Sequence, residues 1–149
     1  MSPVGRLAAI VTALLFAGVP VARAADAPVS RQEWIAVVHD WLDNDRFDTG
    51  HSCGALVDAI GHLEAFPSPP SIDAAAHAIR RYGRRVCTHT PHVGRIAVGM
   101  SDTAVAAIAG MPNTVLPRCW LYTVTSTHEG RRVCFANGRV VRIWRSVHG

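Results

Sequence analysis

The dipeptide Asn137-Gly138, set between two runs of alternating apolar residues, is the strongest constraint that this sequence places on its fold. A two-residue type I′ turn needs positive φ at both positions, and Asn-Gly meets that need readily. The flanking runs therefore predict two antiparallel strands, 131–136 and 139–146. The turn also sets their register, which is predicted to place Phe135 opposite Val140, Cys134 opposite Val141 and Val133 opposite Arg142.

A further strand over residues 118–125 completes a predicted three-stranded antiparallel sheet, and a short helix from Ser101 to Gly110 precedes it. Side chains alternate between the two faces of a strand, so Trp120 and Tyr122 share a face that we expect to pack on this helix. We expect the N-terminal helices to cover part of the opposite face, with a partner-binding surface as the alternative. Strict alternation places Arg142 on the aromatic face, so we expect it near the sheet edge or beside a bulge. The opposite face carries Cys119, Leu121, Cys134, Val141 and Ile143.

Three stretches in the first half, 31–42, 51–66 and 71–87, carry apolar residues at helical spacing. The prolines after Phe66 end the second stretch, because proline cannot extend the helical hydrogen-bond ladder. Ser71 is the expected N-cap of the third helix. The fold class is therefore α+β. An N-terminal three-helix unit over residues 25–89 is followed by a helix and a three-stranded sheet over residues 90–149, in one compact domain.

Residues 1–24 have the pattern of a cleavable signal peptide. Arg6 supplies a positive charge, an apolar stretch runs from Leu7 to Val19, and Ala22-Arg23-Ala24 fits a cleavage site. The apolar stretch is shorter than the roughly 20 residues that a membrane-spanning helix needs. We therefore expect no transmembrane segment in the mature chain and a location in the periplasm or outside the cell.

Four cysteines in an exported chain of this size predict two disulfides, for which three pairings are possible. Cys119 and Cys134 fall on neighbouring predicted strands, whereas Cys53 and Cys87 fall on predicted helices. We expect the disulfides to join these two pairs and to have a structural role.

The charges are divided unevenly along the chain. Residues 25–75 contain two arginines and nine acidic residues, whereas residues 76–149 contain eleven arginines and two acidic residues. The basic half can pack against the acidic helices, face an acidic protein partner or touch anionic lipid, or its arginines can simply be solvated. Candidate contacts to such a partner are Arg132, Arg139 and Arg142. Arginine clusters also bind nucleic acid through phosphates, but export argues against that partner.

The second half carries a wider pattern: Gly99-Met100-Ser101, Val105, Gly110-x-Pro112, Trp120-x-Tyr122 and Val133-x-Phe135-x-Asn137-Gly138-x-Val140. Over residues 90–146 it resembles the SmpA/OmlA family, which includes a small lipoprotein of the outer-membrane β-barrel assembly machinery. The same helix–sheet unit occurs in tandem in the secreted β-lactamase inhibitory protein. The resemblance implies a non-enzymatic protein-binding module of the bacterial cell envelope, or alternatively a secreted or periplasmic enzyme inhibitor or immunity-type protein. It makes Trp120 and Tyr122 candidate binding anchors, with core packing as the alternative.

Metal binding is a weaker alternative. His51, Cys53, Cys87 and His89 could form a Cys₂His₂ zinc set if the two cysteines meet. Thiols that meet in an oxidising compartment tend to form a disulfide, which removes both thiolates. No nucleophile stands at a known spacing from a base, and there is no glycine-rich phosphate loop or haem-attachment sequence. We therefore expect neither catalysis nor a cofactor.

Overall fold

A computed structural model describes residues 26–65, 69–124 and 129–147 of the chain. The predicted signal peptide and the predicted helix end at Phe66 lie outside these residues. Within them, four α-helices and a four-stranded antiparallel sheet confirm the α+β class, and no helix is long and apolar enough to cross a membrane. The helices are α1 (Arg31–Asn44), α2 (Cys53–Glu64), α3 (Pro70–Val86) and α4 (Asp102–Ala109), with a 3-10 turn at Val93–Arg95; the strands are β1 (Thr114–Leu116), β2 (Cys119–Val124), β3 (Glu129–Ala136) and β4 (Arg139–Val147).

Serine caps determine where α1, α2 and α4 begin. In each, the capping hydroxyl accepts a hydrogen bond from the backbone N–H of the third residue after it, which satisfies a donor that has no partner within the helix. In α1 the Glu33 carboxylate returns a bond to the cap, which completes a capping box. Helix α3 begins instead at Pro70, so the predicted N-cap at Ser71 is wrong; proline fits the first helical position because its missing N–H would be unpaired there. The three caps are Ser30, Ser52 and Ser101.

Helix α2 is the centre of the structure and contacts α1, α3, α4 and β1. Its side chains Leu56, Val57 and Ile60 have no solvent exposure. At Gly54 the absence of a side chain allows α4 to approach closely, since a Cβ there would lie 3.1 Å from the Cα of Thr103. The N-terminal helices and the second half therefore share one core.

The sheet has four strands in the order β1-β2-β3-β4, so the predicted three-stranded sheet is wrong in detail. Strand β1 is only three residues long and pairs with β2, with Val115 opposite Trp120. Pro112 and Pro117 stand on either side of it, and this proline content is typical of a loop rather than a strand.

The Asn137-Gly138 turn forms as predicted, with φ of 51° at Asn137 and 68° at Gly138. The predicted pair Phe135 and Val140 is confirmed. Beyond it the predicted register is wrong, because a bulge gives β4 one extra residue, Val141, between its pairs with β3. As a result Cys134 lies opposite Arg142, and Val133 opposite Ile143. The expectation of a bulge beside Arg142 is thereby confirmed.

Both predicted disulfides are present. Cys53–Cys87 joins the start of α2 to the end of α3, and Cys119–Cys134 joins directly opposite residues of β2 and β3. No free cysteine remains among the described residues. Two disulfides are consistent with folding in an oxidising compartment.

Candidate functional site

One face of the sheet is buried and the other is open to solvent. Trp120 and Tyr122 are 5% and 3% exposed and share the core with Val105 of α4, as expected for the aromatic face. On the other face Trp144 is 43% exposed, and the bulge residue Val141 is 54% exposed. The expectation that the N-terminal helices cover this face is wrong. Helices α1 and α3 pack on α2, and α2 packs on α4 at the buried face of the sheet. We call the open surface the outer face, defined by Leu121, Arg132, Val141, Arg142, Trp144 and the Cys119–Cys134 disulfide.

Trp144 is the centre of the outer face. Arg132 lies directly opposite it on β3, and Leu121 of β2 is the next residue in that row. The guanidinium carbon of Arg142 lies 5.2 Å from the centroid of the Trp144 ring, within the range of a cation–π contact. An exposed aromatic ring therefore lies beside Arg142 and opposite Arg132 on the outer face.

The bulge explains why this arrangement was not predicted. Without the extra residue at Val141, strict alternation along β4 would direct Arg142 inward with Phe135 and place Ile143 outside. With it, Ile143 packs against the core, and Arg142 and Trp144 point out on the side of Cys134. The sequence predicts a bulge near Arg142, but the outward direction of Trp144 follows only from the exact position of that bulge.

The outer face is positively charged. Within the described strands, the positions that alternate onto it include Arg132 and Arg142 and hold no aspartate or glutamate. The Cys119–Cys134 disulfide ties β2 to β3 within the same surface. The arrangement presents apolar area, two guanidinium groups and a cross-linked backbone, which suits recognition of an acidic surface.

The other predicted binding residues have different surroundings. Trp120 and Tyr122 are buried, which corresponds to the core-packing alternative; the Tyr122 hydroxyl donates a hydrogen bond to the carbonyl of Gly110 at 3.2 Å, and burial raises its pKa. Arg139 does not lie on the outer face; it contacts the segment that precedes α1 and the turn that precedes α4. Its guanidinium donates to the carbonyls of Gly99 and Asp26 at 3.0 and 3.2 Å.

The structure does not bring the four residues of the zinc hypothesis together as metal ligands among the described residues. Cys53 and Cys87 are joined in a disulfide, so neither thiolate is available as a ligand. His51 instead contacts Asp40, with 2.6 Å between Nε2 and the carboxylate. Burial would raise the pKa of Asp40, but hydrogen bonds from His51, from Thr49 and from the backbone N–H of Asp48 outweigh it and lower the pKa to about 2. These hydrogen bonds hold the loop between α1 and α2 against the Asp40 carboxylate.

A cavity of about 650 Å³ lies on the inner side of the sheet, between α2, β1 and the hairpin turn. Asp58, His62 and Asp102 line it together with the aromatic ring of Trp120. Burial raises the pKa of Asp58; His62 opposes this effect and the charge of Asp102 adds to it. Burial also raises the pKa of Asp102, against hydrogen bonds that lower it. These carboxylates share no sequence motif, because they are far apart in the chain.

No protein-family model matches the chain, and no significant match is found among curated proteins or solved structures.

Proposed function

We propose that this chain is an exported, non-enzymatic protein-binding module of the bacterial cell envelope that binds an acidic partner protein through its outer face. The observation that carries the proposal is the exposed Trp144, in a cation–π contact with Arg142 and opposite Arg132, on an uncovered face of the sheet. Tryptophan and arginine are the side chains most enriched among the residues that dominate binding energy at protein interfaces. Membership of the SmpA/OmlA family is part of this proposal and is supported by the order of α4, Gly110 and the Asn137-Gly138 hairpin.

The charge of the outer face favours an acidic partner. Arginines in the rim of an interface accelerate the encounter with an oppositely charged surface and exclude basic competitors. The planar guanidinium group also forms paired hydrogen bonds with a carboxylate. Carboxylate groups of the partner are therefore the expected counterparts of Arg132 and Arg142.

An enzyme inhibitor is the second candidate function. It is favoured by the disulfide within the outer face, because a surface that is already rigid loses less conformational entropy when it binds. In this case the acidic partner would be a hydrolase or a toxin rather than a component of envelope assembly.

The test is a differential capture from envelope extract. The wild-type chain is compared with Trp144→Ala and Arg142→Glu, and with Leu42→Ala as the control, since Leu42 is an apolar residue of α1 with 47% exposure. Truncation of a central tryptophan at an interface costs about 2 kcal/mol or more, which corresponds to a loss of roughly thirtyfold in affinity.

We expect an acidic protein that is retained by the wild type and by Leu42→Ala and is lost from both outer-face variants. Recovery of assembly components would favour the envelope role, and recovery of one hydrolase or toxin would favour inhibition. Anionic phosphatidylglycerol vesicles form a further arm: retention by vesicles without any protein partner would contradict the proposal.

A further inference from the structure

The cavity on the inner side of the sheet has the size and wall chemistry of a small-molecule site. Its volume of about 650 Å³ falls within the range of ligand pockets, roughly 300–1,000 Å³. Val57 of α2 and Val115 of β1 supply aliphatic wall, and Trp120 and Phe135 supply aromatic wall with their rings 4.5 Å apart. The cavity lies on the other side of the sheet from Trp144, so this inference does not rest on the proposed function.

Two carboxylates line this cavity from different helices. Asp102, at the start of α4, is only 6% exposed. Its Oδ1 accepts hydrogen bonds from the backbone N–H groups of Val29 and Thr103, at 2.9 and 2.7 Å. Its Oδ2 receives no hydrogen bond from the described part of the chain, although Asp102 lines the cavity. This oxygen therefore has unused acceptor capacity.

The second carboxylate has a weak partner. Asp58 of α2 lies 3.5 Å from Nε2 of His62, one helical turn away, and its side chain is 29% exposed. The two aspartates are close enough for the charge of one to disfavour ionisation of the other. Arg118 also lines the cavity, but it is exposed and makes no ion pair with either carboxylate in the described chain. Within the described residues, the weak contact with His62 is therefore the only ion pair that either carboxylate makes.

We propose that this cavity binds a small organic cation, an ammonium, amidinium or guanidinium group on an apolar body. The cationic group lies between Asp58 and Asp102 and donates to the open Oδ2 of Asp102. The apolar body packs on the Trp120 and Phe135 rings, whose faces attract a neighbouring positive charge. Each part of the ligand then meets a wall of matching chemistry.

The probes are benzylamine and benzamidine, with benzyl alcohol as the neutral control of nearly the same shape. Binding is followed by amide chemical shifts in ¹⁵N–¹H NMR spectra of the disulfide-bonded protein. We expect saturable shifts at cavity residues such as Gly61 and Gly138, and affinity at least about tenfold above that of benzyl alcohol. Equal affinity for the alcohol, or shifts spread over the surface without saturation, would overturn the proposal.

Two variants and a control identify the carboxylates. Asp58→Asn and Asp102→Asn each retain the side-chain shape, and we expect each to weaken benzylamine by about tenfold. Asp73→Asn, an exposed acidic residue in the first turn of α3, is the control and should leave the affinity unchanged. Because Asp102 also holds Val29, Asp58→Asn is the decisive variant if Asp102→Asn unfolds. Unchanged affinity in Asp58→Asn would contradict the assignment.

The cation can come from a free amine or from the side chain of another polypeptide. N-acetyl-lysine amide and N-acetyl-arginine amide distinguish these sources in the same titration. Tighter binding of the blocked residues than of benzylamine assigns the cavity to a polypeptide side chain. Tighter binding of benzylamine assigns it to a free amine.

Discussion

Removal of the Cys53–Cys87 disulfide is expected to cost more stability than removal of Cys119–Cys134. The cysteines of the two pairs are 34 and 15 residues apart in the sequence. A disulfide restricts the unfolded chain more strongly when it closes a longer loop, and the chain-entropy relation gives about 4 kcal/mol for the first loop and about 3 kcal/mol for the second. Each value is a large share of the roughly 5–15 kcal/mol that stabilises a typical domain.

The assay is equilibrium unfolding in urea, followed by far-ultraviolet circular dichroism. The double variants Cys53→Ala/Cys87→Ala and Cys119→Ala/Cys134→Ala remove the same atoms, so each is the matched control of the other. The two loops do not overlap along the chain, so the losses should add in the quadruple variant. A loss below about 1 kcal/mol for Cys53→Ala/Cys87→Ala, or a larger loss for the shorter loop, would refute the loop-entropy argument.

Three further perturbations test the assigned contacts. Asp40→Asn should destabilise the protein at neutral pH. The native-state pKa of Asp40 is depressed, so its ionised form contributes to the free energy of unfolding above the ordinary aspartate value of 3.8, and this contribution is lost as the pH falls to about 2. In urea unfolding at several pH values, the difference in unfolding free energy between wild type and Asp40→Asn should shrink over that interval. A constant difference would count against the network. Tyr122→Phe should cost about 1–2 kcal/mol in urea unfolding, since the buried carbonyl of Gly110 loses its donor, and an unchanged midpoint would argue against that bond. Arg139→Ala should lower the free energy of unfolding by less than about 1 kcal/mol, because the contacts of Arg139 to Asp26 and Gly99 are exposed. A larger loss of unfolding free energy would contradict the small weight given to these contacts.

Features that depend on local chemistry were predictable from the sequence. The Asn137-Gly138 turn requires positive φ at both positions, and Ser101 caps a helix through its own hydroxyl, so neither depends on distant residues. The disulfide pairs followed from assigning Cys119 and Cys134 to adjacent strands. Strand β1 is not predictable in this way, because the prolines on either side of it are typical of loops and only its pairing with β2 makes it a strand.

The candidate sites were harder to predict, because each depends on a geometric detail that composition does not contain. A single extra residue at Val141 turns Trp144 and Arg142 outward, so the outer face follows from the bulge and not from alternation. The cavity combines Asp58 of α2 with Asp102 of α4, two helices that approach closely at Gly54. The proximity of residues so far apart in the chain leaves no recognisable pattern in a single sequence.

The most direct test of the outer face as the binding surface is site-specific photo-cross-linking in cells. A photoreactive residue is introduced as Val141→p-benzoylphenylalanine, at a position that is 54% exposed beside Trp144, and as Leu42→p-benzoylphenylalanine on α1, at 47% exposure. The proposed function predicts a discrete adduct with an acidic envelope protein at position 141, absent at position 42 and abolished by Arg142→Glu. No adduct at position 141, or the same adduct at both positions, would contradict it.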